Sequence, residues 1–109
     1  MAITVHIYYT GEGDNALRFA REMLSSGVVE QIRAEAGNLR YEYFLPLEGG
    51  GTVLLIDNWL DQAALDAHHR SPMMQAIIAL REKYDLHMRV ERCVTGEAVP
   101  EGDRAFIRA

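Results

Sequence analysis

The stretch DNWLDQAALDAHHRSPMM, Asp57 to Met74, decides how the rest of the chain is read. It opens at the end of an apolar strand, passes through the single tryptophan, Trp59, and enters a short helix carrying His68 and His69. Asp61 stands where that helix needs an N-cap. Ser71-Pro72 starts a second helix, with proline at the first helical position, where its missing N–H is no loss. On a helix advancing about 100° per residue, Asp61, Ala64, Leu65 and His68 share one face. Gln62, Asp66 and Arg70 point the opposite way, and His69 sits at the flank. A titratable ring at His68, inside an inward stripe, needs a physical reason to be there.

Upstream, Thr52 to Trp59 turns Val53, Leu55, Asp57 and Trp59 one way and Leu54, Ile56 and Asn58 the other. Apolar residues on both faces predict a central strand covered twice. Before it, Asn38 to Leu47 places Leu39, Tyr41, Tyr43 and Leu45 on one face. The turn Glu48-Gly49-Gly50-Gly51 joins the two runs as a hairpin. The first strand, Ala2 to Thr10, sets Ile3, Val5, Ile7 and Tyr9 against Thr4, His6 and Tyr8. Asp14 is positioned to cap a helix through about Ser25, with Leu17, Ala20 and Leu24 at helical spacing and Gly27 ending it. Val28 to Ala36 reads as a further short helix with Val28, Val29, Ile32 and Ala36 turned inward.

Downstream, Met73, Met74, Ile77, Ile78, Leu80 and Tyr84 form a broad apolar stripe. Tyr84 to Val94 reads as the last strand, with Leu86, Met88, Val90 and Val94 on one face and His87, Arg89, Glu91 and Cys93 on the other. The order strand, helices, two strands, helices, strand is the split βαβ pattern of an α+β protein, a four-stranded antiparallel sheet with helices on one face. One helical layer covers one face only. The other, with Thr4, His6, Tyr8, Leu54 and Ile56, is too apolar for water and predicts a homodimer of face-to-face sheets. Residues 1–95 form the expected domain. Residues 96–109 form a tail expected to be extended, whose Ala105-Phe106-Ile107 is apolar enough to dock on the partner subunit.

A chain of 109 residues supports one core, not two. Its net charge of −5 and lack of any basic run argue against nucleic acid or an anionic membrane as partner. Apolar runs are too short to span a bilayer, and the N-terminus lacks the cationic lead of a signal peptide. A lone Cys93 has no internal disulfide partner, which suits a cytoplasmic location.

The residues Gly37-Asn38-Leu39-Arg40-Tyr41, and more specifically Asp57-x-Trp59 followed by Ala64-Leu65-x-Ala67-His68-x-x-Ser71-Pro72, resemble the antibiotic biosynthesis monooxygenase domain over roughly residues 2 to 94. The resemblance implies a ferredoxin-like dimeric α+β barrel with a pocket between sheet and helices in each subunit. Its members include quinol monooxygenases, cofactor-free oxygenases of aromatic polyketides and an isomerase of phosphorylated autoinducer-2. Two departures stand out. Many members carry a further His just after Ser-Pro, where this chain has Met73 and Met74. The haem-degrading branch has a haem-ligating His on the second helix, where this chain has an aliphatic residue near Ile78, so haem degradation is not implied.

His68 has two readings: a general base in an apolar pocket, or a core-rim ring held by a hydrogen bond. His69 points away and is expected to be solvated. His68 and His69 are adjacent and diverge rather than chelate, so no metal site is expected; His6 on the first strand and His87 on the last are the pair that the sheet could bring together. Trp59 could wall a flat aromatic ligand or be plain core. Asp57 is a buried carboxylate in need of a partner. Asn38 and Tyr41 offer an amide and a phenol for hydrogen bonding. His6 and Tyr8 belong to either the pocket or the dimer interface.

The expected function is cofactor-independent oxidation of a small quinol or phenolic aromatic by O2, with His68 as base and Trp59, Asn38, Tyr41, His6 and Asp57 holding the substrate. No flavin or nicotinamide motif is present, so no cofactor is expected. The alternatives are isomerisation of a small, phosphorylated carbonyl compound, with Arg40, Arg89 or Arg92 taking the phosphate, and a non-catalytic dimeric binder of small molecules.

Overall fold

The structure, a computed structural model, describes residues 2–108; residues 1 and 109, the outer bounds of the two expected units, lie outside it. Four strands, β1 (Ala2–Thr10), β2 (Asn38–Phe44), β3 (Val53–Trp59) and β4 (His87–Thr95), form an antiparallel sheet in the order β2-β3-β1-β4. The helices α1 (Asn15–Ser25), α2 (Val28–Arg33), α3 (Gln62–His69) and α4 (Pro72–Lys83) supply the crossovers, and α5 (Glu101–Arg104) follows β4. This is the ferredoxin-like arrangement expected from the element order.

Period-two alternation sets the core. Ile3, Val5, Ile7 and Tyr9 of β1 and Val53, Leu55 and Trp59 of β3 are buried on the helix side, with Asp57 among them. Tyr9 and Phe19 pack ring to ring at 4.8 Å. In α1 the inward residues are Ala16, Phe19, Ala20 and Met23, so Leu24, expected inside, is 50% exposed. Ala16, Phe19, Ala20 and Met23 recur at i, i+3, i+4 and i+7, and this stripe sets the helix rotation. Asp14 precedes α1 without a side-chain capping bond, whereas Asp61 accepts the Ala64 N–H at 2.9 Å, as its sequence position predicts.

Four further expectations are corrected. The second helix stops at Arg33 and Ala36 is exposed. Leu39 is exposed because a β-bulge between Asn38 and Arg40 makes it the extra residue opposite β3. Tyr84 is the C-cap of α4, and β4 begins at His87. The tail is not simply extended, since it forms α5, but Phe106 and Ile107 remain exposed.

Gly37 ties β2 to α3. Its φ is 85°, a left-handed value that glycine adopts without strain, and a Cβ there would lie 2.5 Å from Cβ of Ala64. The Leu60 N–H donates to its carbonyl at 2.8 Å. This close approach fixes the start of α3, and hence where His68 and His69 fall. Among the described residues no helix is long and apolar enough to cross a membrane.

Candidate active site

Trp59 is in contact with His68, and Asp57 shares the buried strand face of Trp59. His68 is 4% exposed. Its Nδ1 lies 2.7 Å from Oε2 of Glu35, at the end of the α2 connection. Its ring stacks on Trp59 at 4.7 Å with a 29° tilt and meets Tyr41 edge-on at 6.3 Å. Burial holds the imidazole below its usual pKa, while the Glu35 carboxylate pulls it back up. Glu35 therefore supplies the hydrogen bond that the core-rim reading of His68 requires, from a carboxylate instead of a backbone carbonyl.

A cavity of about 270 Å³ opens between the sheet and the helices. Its apolar wall comes from Val5 and Ile7 of β1, Leu65 of α3, Met74 of α4, and Met88 and Val90 of β4. Its polar groups are Asp57, His69, Arg81 and Arg92. His69, expected to be solvated, is exposed at this cavity, whereas His68 is turned toward Trp59 and Glu35.

Asp57 is the unusual group. It pairs with Val5 on one side and Tyr41 on the other, so strand alternation drives its carboxyl under the helices. It is buried, and its Oδ1 has no hydrogen-bond partner among the described residues. Burial raises its pKa to about 7. The Trp59 indole N–H pulls the other way without forming a full hydrogen bond, the Glu35 charge pushes further up, and Arg81 lowers it. Arg81 is itself held in place: its Nε and a terminal nitrogen donate to the Tyr9 hydroxyl at 3.2 and 2.9 Å. The cavity thus pairs a carboxyl able to exchange a proton near neutral pH with a fixed guanidinium.

The other residues singled out from sequence lie elsewhere. Tyr41 is buried behind His68. Asn38 bonds to the carbonyls of Arg40 and Asn58 beside a shallow surface hollow that Arg33 also lines. His6 faces the opposite side of the sheet, in a hollow shared with Thr4, Ile56, Asn58 and Cys93. His87 pairs with Thr10, four positions from His6, and no cluster of three metal-binding side chains occurs among the described residues. Arg40 and Arg89 form ion pairs with Glu42 and Glu91, leaving Arg92 as the strand arginine at the cavity.

Arg92 is one of the three arginines that the sequence offers to a phosphate, whereas Arg81 is a cavity residue that sequence reasoning missed although its spacing could have found it. Arg81 continues the Met74–Ile77 spacing of α4, and Arg92 shares parity with Met88 and Val90. Glu35 had no such signal, since its contact with His68 spans 33 positions.

Comparison with known proteins agrees with this architecture. "Putative monooxygenase YcnE" of Bacillus subtilis (strain 168) is 29% identical over 55 residues, a match covering 50% of this chain and 58% of that protein. The chain therefore matches little more than half the length of that relative. A crystal structure from Deinococcus radiodurans, described as a candidate antibiotic biosynthesis monooxygenase, superposes with a TM-score of 0.75 at 20% identity, covering 92% of this chain and 97% of that one. SnoaB, a cofactor-independent oxygenase from Streptomyces nogalater, superposes with a TM-score of 0.73 at 14% identity, covering 92% and 98%. At these identities the superpositions speak for the fold. The sequence profile of the antibiotic biosynthesis monooxygenase family matches residues 2–80, and the chain belongs to that family.

Proposed function

We propose that this chain is a cofactor-independent monooxygenase that oxidises a small quinol or related phenol with O2 in the cavity beneath α3 and α4. The observation that carries this reading is Asp57, a buried carboxyl with an unpartnered oxygen and a pKa raised to about 7, on the wall of a largely apolar cavity. Asp57 accepts the phenolic proton. The electron-rich anion, stabilised by the Arg81 guanidinium, passes one electron to O2, and the resulting radical pair combines to form a bond between a ring carbon and oxygen. Asp57 returns its proton to the peroxide and then takes the ring C–H proton as the O–O bond breaks. The departing hydroxide leaves with that proton as water, so a hydroquinone and O2 give a hydroxyquinone and water. The substrate supplies all the electrons.

In this reading the base is Asp57, and His68 is a positioning residue. Glu35 holds its ring against Trp59, whose indole N–H faces the Asp57 carboxylate. Trp59 and Tyr41 act from behind the cavity wall. Oxygen uptake with a panel of benzo- and naphthohydroquinones tests the assignment. Asp57→Asn should lower the rate by roughly 100-fold or more. If Asp57→Asn stays active while His68→Gln is folded and inactive, His68 is the base. The presence of Arg92 in the cavity gives some weight to an isomerase of an anionic carbonyl compound; solvent deuterium exchange without oxygen uptake would identify it. Ligand binding with neither activity would leave a small-molecule binder.

The homodimer belongs to the same proposal. Tyr8, Leu54 and Ile56 lie half-buried and Phe44 more exposed on the sheet face away from the helices, where a second sheet would cover them. Phe106 and Ile107 are free to dock on that second copy. Light scattering should give twice the monomer mass.

A further inference from the structure

We infer that the substrate carries an anionic substituent, a carboxylate or a phosphate, which Arg92 receives at the mouth of the cavity with His69 beside it, while Asp57 and Arg81 address the reacting hydroxyl. The inference rests on the reading of this cavity as the active site, and it names the class of compound that site selects.

Three observations point the same way. The strands carry three arginines, and Arg40 and Arg89 are each matched by a glutamate two residues away. The Arg92 side chain has no hydrogen bond or ion pair among the described residues. It pairs with Val5 across the β1–β4 ladder, so it interrupts the row Met88, Val90 and Val94 on the side that forms the cavity. Finally, the only carboxyl lining the cavity among the described residues is Asp57, which is buried, whereas Arg92 and His69 are exposed. On a chain of net charge −5 the mouth is locally inverted in sign. An arginine on an edge strand also discourages pairing with foreign strands, but that role is served by a side chain directed to open solvent and gives no reason for one lining a cavity.

The geometry separates two tasks by depth. A ring seated against Val5, Ile7 and Leu65 can present a hydroxyl to Asp57 and a charged substituent outward to Arg92, whose forked guanidinium suits a two-oxygen anion. A neutral quinol would leave Arg92 without a partner.

Anaerobic calorimetric titration of the full chain at low salt tests this with 2,5-dihydroxybenzoate and its methyl ester, which share a ring and differ in charge. The acid should bind about tenfold more tightly than the ester, as one charge-assisted contact implies. Arg92→Gln should weaken the acid about tenfold and leave the ester unchanged. Competition between the acid and 4-hydroxyphenyl phosphate then reports which anion is preferred. Equal binding of acid and ester, binding of neither, or an acid preference that survives in Arg92→Gln overturns the inference. Because no oxygen is present, these outcomes are independent of whether the protein oxygenates anything; a failure of oxygen uptake bears on the monooxygenase reading alone.

Discussion

The imidazole of His68 stacks on the indole of Trp59 at a centroid separation of 4.7 Å while its Nδ1 meets Glu35 at 2.7 Å. One side chain thus joins the α2 connection, α3 and the end of β3. It holds the tryptophan whose indole N–H lies near the Asp57 carboxyl. A ring used in this way organises the site through its neighbours, and removing it should disturb both packing and rate.

His68→Ala leaves a void against Trp59 and a glutamate without its partner. A loss of about 2–4 kcal/mol is expected in urea unfolding at pH 7. Because burial lowers the folded-state pKa of His68, its contribution is complete above the unfolded value and is lost as pH falls through the folded one. Wild-type stability should therefore decline on acidification in a part that His68→Phe, which keeps the stack, does not show.

Asp57 runs the other way. Its pKa is raised from 3.8 to about 7, so its contribution is fully present below pH 3.8 and disappears as pH rises through about 7. Above that, an ionised carboxylate is held in a buried site. Asp57→Asn should match the wild type at pH 4 and exceed it at pH 8 by on the order of 2–4 kcal/mol, read as a shift in the denaturant midpoint. Greater stability with lost activity is the pattern expected where a site is built against its own folding preference.

Gly37→Ala meets both a left-handed backbone angle and the Ala64 Cβ. A loss of about 2 kcal/mol or more is expected in thermal or urea unfolding. Gly37→Ala combined with Ala64→Gly should recover only the steric part, since the φ strain persists.

Tyr9→Phe removes the hydroxyl that accepts two hydrogen bonds from Arg81. The guanidinium then loses its fixed direction while keeping its charge. The expected result in steady-state kinetics is a roughly tenfold fall in kcat with little change in KM, because anchoring matters most when negative charge develops.

Most of the fold could be read from two periods. Alternation in β1 and β3 assigned every buried position on the helix side of those strands, including Asp57, though not Thr4, which is buried on the other face, and the Ser71-Pro72 restart located α4. Local readings failed in two places: the bulge at Leu39 defeats parity in β2, and in α1 the spacing of Leu17, Ala20 and Leu24 competes with that of Ala16, Phe19, Ala20 and Met23, the stripe that the core takes up. At the site, sequence reading brought Asp57, Trp59 and His68 into one neighbourhood but favoured the histidine, since imidazole has the suitable pKa in isolation. Burial moves the carboxyl of Asp57 into that same range. That displacement depends on what packs over the strand, as does the Glu35 contact, and neither is encoded in local spacing.

The pH dependence of oxygen uptake, compared between the wild type and Asp57→Asn on a hydroquinone substrate, tests the central claim most directly. The account predicts a wild-type kcat that rises through an apparent pKa near 7 and a variant slower by roughly 100-fold or more in which that rise is absent. A variant that keeps the wild-type rate and the same pH profile would contradict it.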